Sequence, residues 1–247
     1  MATDSETGIA VNMVNFDELN LKVSGFGPKY NPSNPTITAS ALNALSGDAK
    51  GAVETTARAF AARTRAASSR EEAFGPLGPL VTQVINALVA CGISQPLIDS
   101  AMTFVRKLRG RRVTPFLSEE EKAALAAEGK DVKQVSASQM GYDTRIENFG
   151  KLIDLIETIP EYAPNEEELQ TRSLRALYTS LKAKNADVLA AGVTLEDAYA
   201  RRNALFNTAT TGMLDVVETV KKYVKSVFTA SGAEYQSISR IKFSPVK

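Results

Sequence analysis

Histidine does not occur anywhere in the 247 residues. Its absence removes the side chain whose unperturbed pKa suits acid–base work near neutrality. The Ser-His and Cys-His nucleophile systems go with it, as do the His-containing zinc and di-iron sites. Cysteine occurs once, as Cys91, so no disulfide can form within one chain. That thiol closes the apolar run Val84-Ile85-Asn86-Ala87-Leu88-Val89-Ala90, where a buried, inert group is the expectation rather than a reactive one. There is no Asp-x-Asp-x-Asp-Gly loop for calcium, no Gly-x-x-x-x-Gly-Lys-Ser/Thr loop and no Gly-x-Gly-x-x-Gly after a strand. Gly75-Pro76-Leu77-Gly78-Pro79 has glycines, but its prolines remove the N–H donors a phosphate needs, so it reads as a hinge or helix break. The expectation is a protein that is not an enzyme, with no catalytic residue, no cofactor and no metal.

Other shortages set the class. Aromatic residues are only 7% of the chain while hydrophobic residues are 44%, rich in Ala and Leu, a balance suited to closely packed helices in a soluble globular protein. Charge of one sign is lacking as well: the net charge of +1 gives the whole molecule no bulk attraction to nucleic acid or an anionic surface. The opening residues Met1-Ala2-Thr3-Asp4-Ser5-Glu6-Thr7-Gly8 have neither a positive nor an apolar region of the kind a signal peptide carries. No uninterrupted apolar run approaches the roughly 18–20 residues that span a bilayer. A cytoplasmic protein with no membrane association is expected.

What the chain does hold is a repeat. Pro160-Glu161-Tyr162-Ala163-Pro164 has a counterpart 132 residues earlier in Pro28-Lys29-Tyr30-Asn31-Pro32, and Leu42, Ala44 and Leu45 match Leu174, Ala176 and Leu177 at the same offset. Carried on without a gap, the offset pairs Lys50 with Lys182, Arg70 with Arg202 and Phe74 with Phe206, giving eleven identities between residues 28–74 and 160–206. Spaced prolines, a tyrosine and a leucine pair in one register point to a tandem duplication. Residues 1–12 then read as a flexible tail, 13–115 as the first repeat, 116–141 as a linker and 142–247 as the second repeat.

Periodicity makes the repeats helical. Ile146, Phe149, Leu152, Ile153 and Ile156 recur at three- and four-residue spacing, which predicts an amphipathic helix over about 143–158, ended by Pro160. In the stiff Pro-x-Tyr-x-Pro connector, Tyr30 and Tyr162 are expected to anchor an interhelical loop. A second helix is predicted from Asn165, with the acidic Glu166-Glu167-Glu168 in its first turn, to a stop at Gly192; Thr194-Leu195-Glu196-Asp197 then resembles a fresh start for a third, reaching Phe206. The counterpart stretch Ala57–Ala67 is Ala-rich and shows no clear turn. Leu80, Val81, Val84, Ile85, Leu88 and Val89 form one further apolar face, and Met213, Leu214, Val216, Val217, Val220, Tyr223, Val224 and Val227 another. A last helix opens at Ser94 in the first repeat and at Ser231 in the second, where Ser231-Gly232-Ala233-Glu234 resembles a capping box. No stretch alternates with period two for long. The prediction is an all-α protein of two tandem up-and-down helical bundles, with four to five helices each.

Charge offers one anomaly. Arg106-Lys107-Leu108-Arg109-Gly110-Arg111-Arg112 puts five cations into seven residues, with Glu119-Glu120-Glu121 close behind. Cations at a helix C-terminus are favoured by the dipole at roughly 0.3–1 kcal/mol each, so a solvated or intramolecular ion-pair role is the first reading. Binding of nucleic acid or an acidic partner is the second, without aromatic interleaving to support it. Arg70 and Arg202, each four residues before the paired phenylalanines Phe74 and Phe206, are expected to reach a carboxylate or helix-end carbonyls on a neighbouring helix rather than to bind an anion.

Gly212-Met213-Leu214-Asp215-Val216-Val217 and Lys222-Tyr223-Val224-Lys225-Ser226-Val227-Phe228 resemble a group of uncharacterised all-helical bacterial proteins that carry a comparable internal duplication and an Arg-Lys-rich segment. That resemblance covers most of the chain. It implies a soluble bacterial protein and brings no activity and no site residues.

Function is therefore expected to lie in protein–protein interaction: a structural module, self-associating or partner-binding, whose Ala-rich face at Ala57–Ala67 permits close helix approach. Nucleic-acid binding through Arg106, Lys107, Arg109, Arg111 and Arg112 is the alternative. A small-molecule pocket lined by Tyr30, Tyr162, Tyr199 and Tyr223 is a third reading.

Overall fold

A computed structural model describes residues 4–110 and 141–246. Among them every regular element is helical. The helices are α1 (Asp4–Gly25), α2 (Ala39–Phe74), α3 (Leu77–Ala90), α4 (Gln95–Leu108), α5 (Tyr142–Glu157), α6 (Thr171–Asn207), α7 (Met213–Phe228) and α8 (Ala233–Ser239), with short 3-10 turns at Gly27–Lys29, Pro35–Ile37 and Glu167–Leu169. Apart from Gly141, the predicted linker 116–141 lies outside the described residues, as do Arg111 and Arg112 of the basic run.

The helices pack into two compact units, one of residues 1–63 with 191–247 and the other of residues 64–190. Each unit thus draws helices from both sequence halves, where the repeat alone predicts units at 13–115 and 142–247. In the first unit, Ile9, Phe16, Leu19 and Val23 of α1 share a core with Leu42 of α2, Phe206 of α6, Val216, Val217, Val220 and Val224 of α7 and Ile238 of α8. In the second, Phe74 of α2, Leu77, Val81, Val84 and Leu88 of α3, and Ile98, Ala101 and Val105 of α4 share a core with Phe149, Leu152, Ile153 and Ile156 of α5 and Leu174 and Leu181 of α6. The hydrophobic periodicity of each helix dictates a buried stripe but does not say which other stripe covers it.

Several elements differ from the sequence expectation. α1 runs through residues placed in the flexible tail: Ile9 and Asn12 are buried, and Asn12 holds the backbone of Ser244. α2 and α6 are single helices of 36 and 37 residues, about 54 and 56 Å long at about 1.5 Å per residue. The predicted stop at Gly192 and start at Thr194 do not occur. An interior glycine costs only about 1 kcal/mol, which burial of Val188, Leu195 and Ala198 on the same helix offsets. Asn165 and the three glutamates precede α6, with Glu167 and Glu168 in the 3-10 turn that leads into it. At α8 the N-cap is Gly232, not Ser231, and no side chain caps it. Cys91 is half-buried at the C-cap of α3 rather than fully enclosed.

An eighteen-residue stretch within Ala39–Ala90 is apolar and carries few charges. Gly75 and Pro76 interrupt that range, dividing it between α2 and α3. α3 alone is 14 residues, about 21 Å against the roughly 30 Å of a bilayer core, and its apolar stripe faces the second core.

Candidate functional site

The basic run is the foremost candidate from sequence, and its described cations lie at the end of α4 in the second unit. Arg106 is half-buried, and its Nη2 donates to Thr103 Oγ1 one turn back at 3.0 Å. Arg109 donates to Thr82 Oγ1 on α3. Lys107 is exposed. Across on α5, the hydrogen bond from Lys151 to Glu147 (2.5 Å) holds that carboxyl below its ordinary range, and the charge of Lys107 adds to the effect. The described cations thus meet hydroxyls and a carboxylate of their own unit.

Arg70 is organised by residues far along the chain. Its Nη1 donates to Asn185 Oδ1 on α6 at 2.9 Å, and Asn185 in turn donates to the Asp143 carboxylate at 2.7 Å. The guanidinium lies 3.7 Å from the centre of the Tyr142 ring, a cation–π contact. Tyr142 also meets Phe74 edge-on at 4.8 Å. Arg145, one turn into α5, donates to the Phe74 carbonyl at 3.3 Å and has its pKa lowered by burial. A carboxylate is therefore reached through Asn185 and not directly. Arg202 sits 4.8 Å from the Tyr199 ring and donates to Asn203 Oδ1 at 2.9 and 3.1 Å. Both repeat-equivalent arginines thus combine an aromatic face with an asparagine carbonyl.

Of the four tyrosines, Tyr30, Tyr199 and Tyr223 belong to the first unit and Tyr162 to the second. Tyr30 donates its hydroxyl to the Ile37 carbonyl at 2.5 Å and packs edge-on against Tyr223 in the first unit. Tyr162 donates to the Leu169 carbonyl at 2.8 Å in the second unit. Burial raises both phenols, that of Tyr162 to about 12 with help from neighbouring Cys91 and Glu166. Tyr199 packs with Ala59, Leu195 and Ala198, so part of the Ala-rich stretch of α2 is covered by α6. Among the described residues no group of three Asp, Glu or Cys side chains could hold a metal.

Two features of the first unit have no counterpart in the sequence reading. α1 carries apolar side chains on its outer side: Val11 is 48%, Val14 67% and Leu21 76% exposed. At about 100° per residue these three fall within about 80° of one another, with Glu18, paired to Lys22 at 2.5 Å, between them. An apolar pattern on both sides of a helix has little amphipathic contrast, which hides an outer stripe from a periodicity reading.

The second feature is the extended segment after α8. Asn12 Nδ2 donates to the Ser244 carbonyl at 2.8 Å while Ser244 N–H donates to Asn12 Oδ1 at 2.9 Å. Asn15 donates to the Lys242 carbonyl at 2.7 Å, Asn207 to that of Val246 at 2.8 Å and Lys221 to that of Ile241 at 2.5 Å. Ile241 and Val246 are buried, and Phe243 packs against the first core under the ammonium of Lys221. An open cleft of about 520 Å³ adjoins the segment at Asn15, Lys22, Gln236 and Arg240. Comparison of the chain with protein-family models, with curated proteins and with solved structures finds no match.

Proposed function

We propose that this chain is a non-enzymatic protein-interaction module, built by duplication of a helical bundle, that associates with further copies of itself. The observation that carries the reading is the outward stripe Val11, Val14 and Leu21 on α1. A line of large aliphatic side chains facing water along one helix gains free energy when a second surface covers it, at about 25 cal/mol per Å² of apolar area. The near-zero net charge leaves little repulsion between copies.

Duplication is supported by geometry as well as by identities. α2 begins at Ala39 and α6 at Thr171, an offset of 132. The hydroxyls of Tyr30 and Tyr162 each reach the carbonyl seven residues on. In this reading the two copies have exchanged helices within one chain, which accounts for units assembled from both halves.

Light scattering coupled to size exclusion tests the assignment. The expected result at high micromolar concentration is an oligomer whose mass does not change between low and high salt. Replacing Val14 and Leu21 together with Lys should return it to 26.5 kDa while leaving the thermal unfolding curve in place, because exposed sites away from structural features shift stability by about 0.5 kcal/mol or less. A monomer at every concentration overturns the reading. The alternative of nucleic-acid binding has less support, since Arg106 and Arg109 already donate to Thr103 and Thr82. If it held, log affinity would fall by about 0.9 per contacted phosphate for each tenfold rise in salt.

A further inference from the structure

We propose that the groove formed by α1, α6 and α7 is a receptor for an extended peptide, and that copies of the chain exchange the segment 241–246 through it. The proposal deepens the self-association reading and rests on it for the choice of partner. Its basis is the way the segment is held.

The hydrogen bonds that hold 241–246 on the helices are made between helix side chains and the segment's main chain. Asn12 offers an amide acceptor and donor to Ser244 as a neighbouring strand would, while Asn15, Asn207 and Lys221 each donate to one carbonyl. An asparagine side chain carries the same donor and acceptor pair as a peptide group, so helices lacking a free backbone edge can receive an extended chain as a sheet edge does. Selectivity then comes from the seats filled by Ile241, Phe243 and Val246, alternating with the exposed Lys242 and Ser244. The four receiving side chains belong to helices that keep their own backbone bonds whether or not the segment is present. The only backbone–backbone bond described for the segment is Ile241 N–H to the Ile238 carbonyl, at its base. The segment can therefore leave by rotation near Ile238–Arg240 without unwinding a long helix.

A second copy is the occupant that fits. Its own 241–246 carries the side chains these seats accept, and α1 holds both Asn12 and Asn15 on one side and the stripe Val11, Val14 and Leu21 on another. Copies joined through the stripe bring grooves and segments into one neighbourhood. In that setting exchange becomes close to intramolecular, with the gain in effective concentration that linkage supplies.

The test uses the full chain with Ser244→Pro, which removes the N–H that Asn12 accepts at an exposed position. A fluorescent peptide with the sequence of residues 239–246 should bind this variant saturably and at least tenfold more tightly than it binds the unaltered chain. The same peptide carrying Ser244→Pro should lose at least tenfold, and adding Asn12→Ala to the protein should abolish the gain. Absence of saturable binding to the helical Ser244→Pro protein overturns the proposal. A second measurement is independent of that variant's folding. In a Cys91→Ser background, one pool carries Glu18→Cys and another Lys242→Cys, two side chains that line one cleft beside the segment and make none of the groove's hydrogen bonds; mixed and treated with a short bifunctional thiol cross-linker, they should form a covalent heterodimer. If none forms at a concentration where light scattering shows an oligomer, exchange is wrong and self-association stands. Peptide binding by a protein that stays monomeric upholds the receptor groove and overturns exchange between copies.

Discussion

Tyr30 and Tyr162 show how one side chain can close a loop and report on it. Each ring lies in its unit's core while its hydroxyl donates to a main-chain carbonyl, of Ile37 or of Leu169. Ionisation would put a charge into that apolar setting and lose the donated bond, so burial holds both phenols protonated, Tyr162 to about pH 12. The folded pKa is raised above the unfolded value of about 10. This contribution to stability is therefore complete below about pH 10 and is lost as pH rises through about 12, since the folded state binds more protons in that window. Of the seven tyrosines, these two should develop phenolate absorbance only as helical circular dichroism disappears. Smooth titration of all seven ahead of helix loss would contradict the assignment. The pair is legible in the sequence because the repeat singles out a tyrosine between two prolines twice. The partners of Arg70 are not legible: Tyr142 and Asn185 lie 72 and 115 positions away, and no local rule connects them.

Helix existence is set by periodicity and helix ends by finer balances. α5 is readable almost to its boundaries because five large apolar residues repeat in phase and Pro160 follows. The unbroken run of α6 through Gly192 is not, because a weak local preference to stop there competes with burial on both sides. That competition can be measured. A Cβ at Gly192 would meet nothing within 4 Å, so Gly192→Ala should stabilise the protein by about 0.5–1 kcal/mol by reducing the freedom of the unfolded chain. Gly150→Ala on α5 should do the reverse, because its Cβ would fall 3.0 Å from the Tyr178 ring where α6 comes close. Urea melts of the two variants decide it. A loss of stability in Gly192→Ala would mean the helix needs glycine flexibility there. The groove residues Asn12 and Asn15 are hidden for a related reason: asparagines on a helix otherwise read as weak helix formers, and only the distant segment they hold explains them.

At the scale of the molecule each core draws helices from both halves of the sequence. Phe16, Leu19 and Val23 of α1 share their core with Val217, Val220 and Val224 of α7, and Phe149, Leu152 and Ile153 of α5 share theirs with Val81, Val84 and Leu88 of α3. The pattern along each helix states how much surface must be covered, yet apolar stripes of similar width are near-equivalent covers, so sequence cannot choose between a partner from the same half and one from the other. The described packing makes that choice testable. Residues 1–115 expressed alone lack α5, α6, α7 and α8, and residues 116–247 alone lack α1, α2, α3 and α4. Each half should expose apolar stripes, bind a hydrophobic dye and melt without a cooperative transition. Mixed in equal amounts, the halves should recover a cooperative melt, because both cores are then complete and only the entropy of joining two chains is lost. Cooperative, dye-free folding of either half by itself would show that its helices can cover one another within a single copy, and the exchange of helices between copies would have to be abandoned.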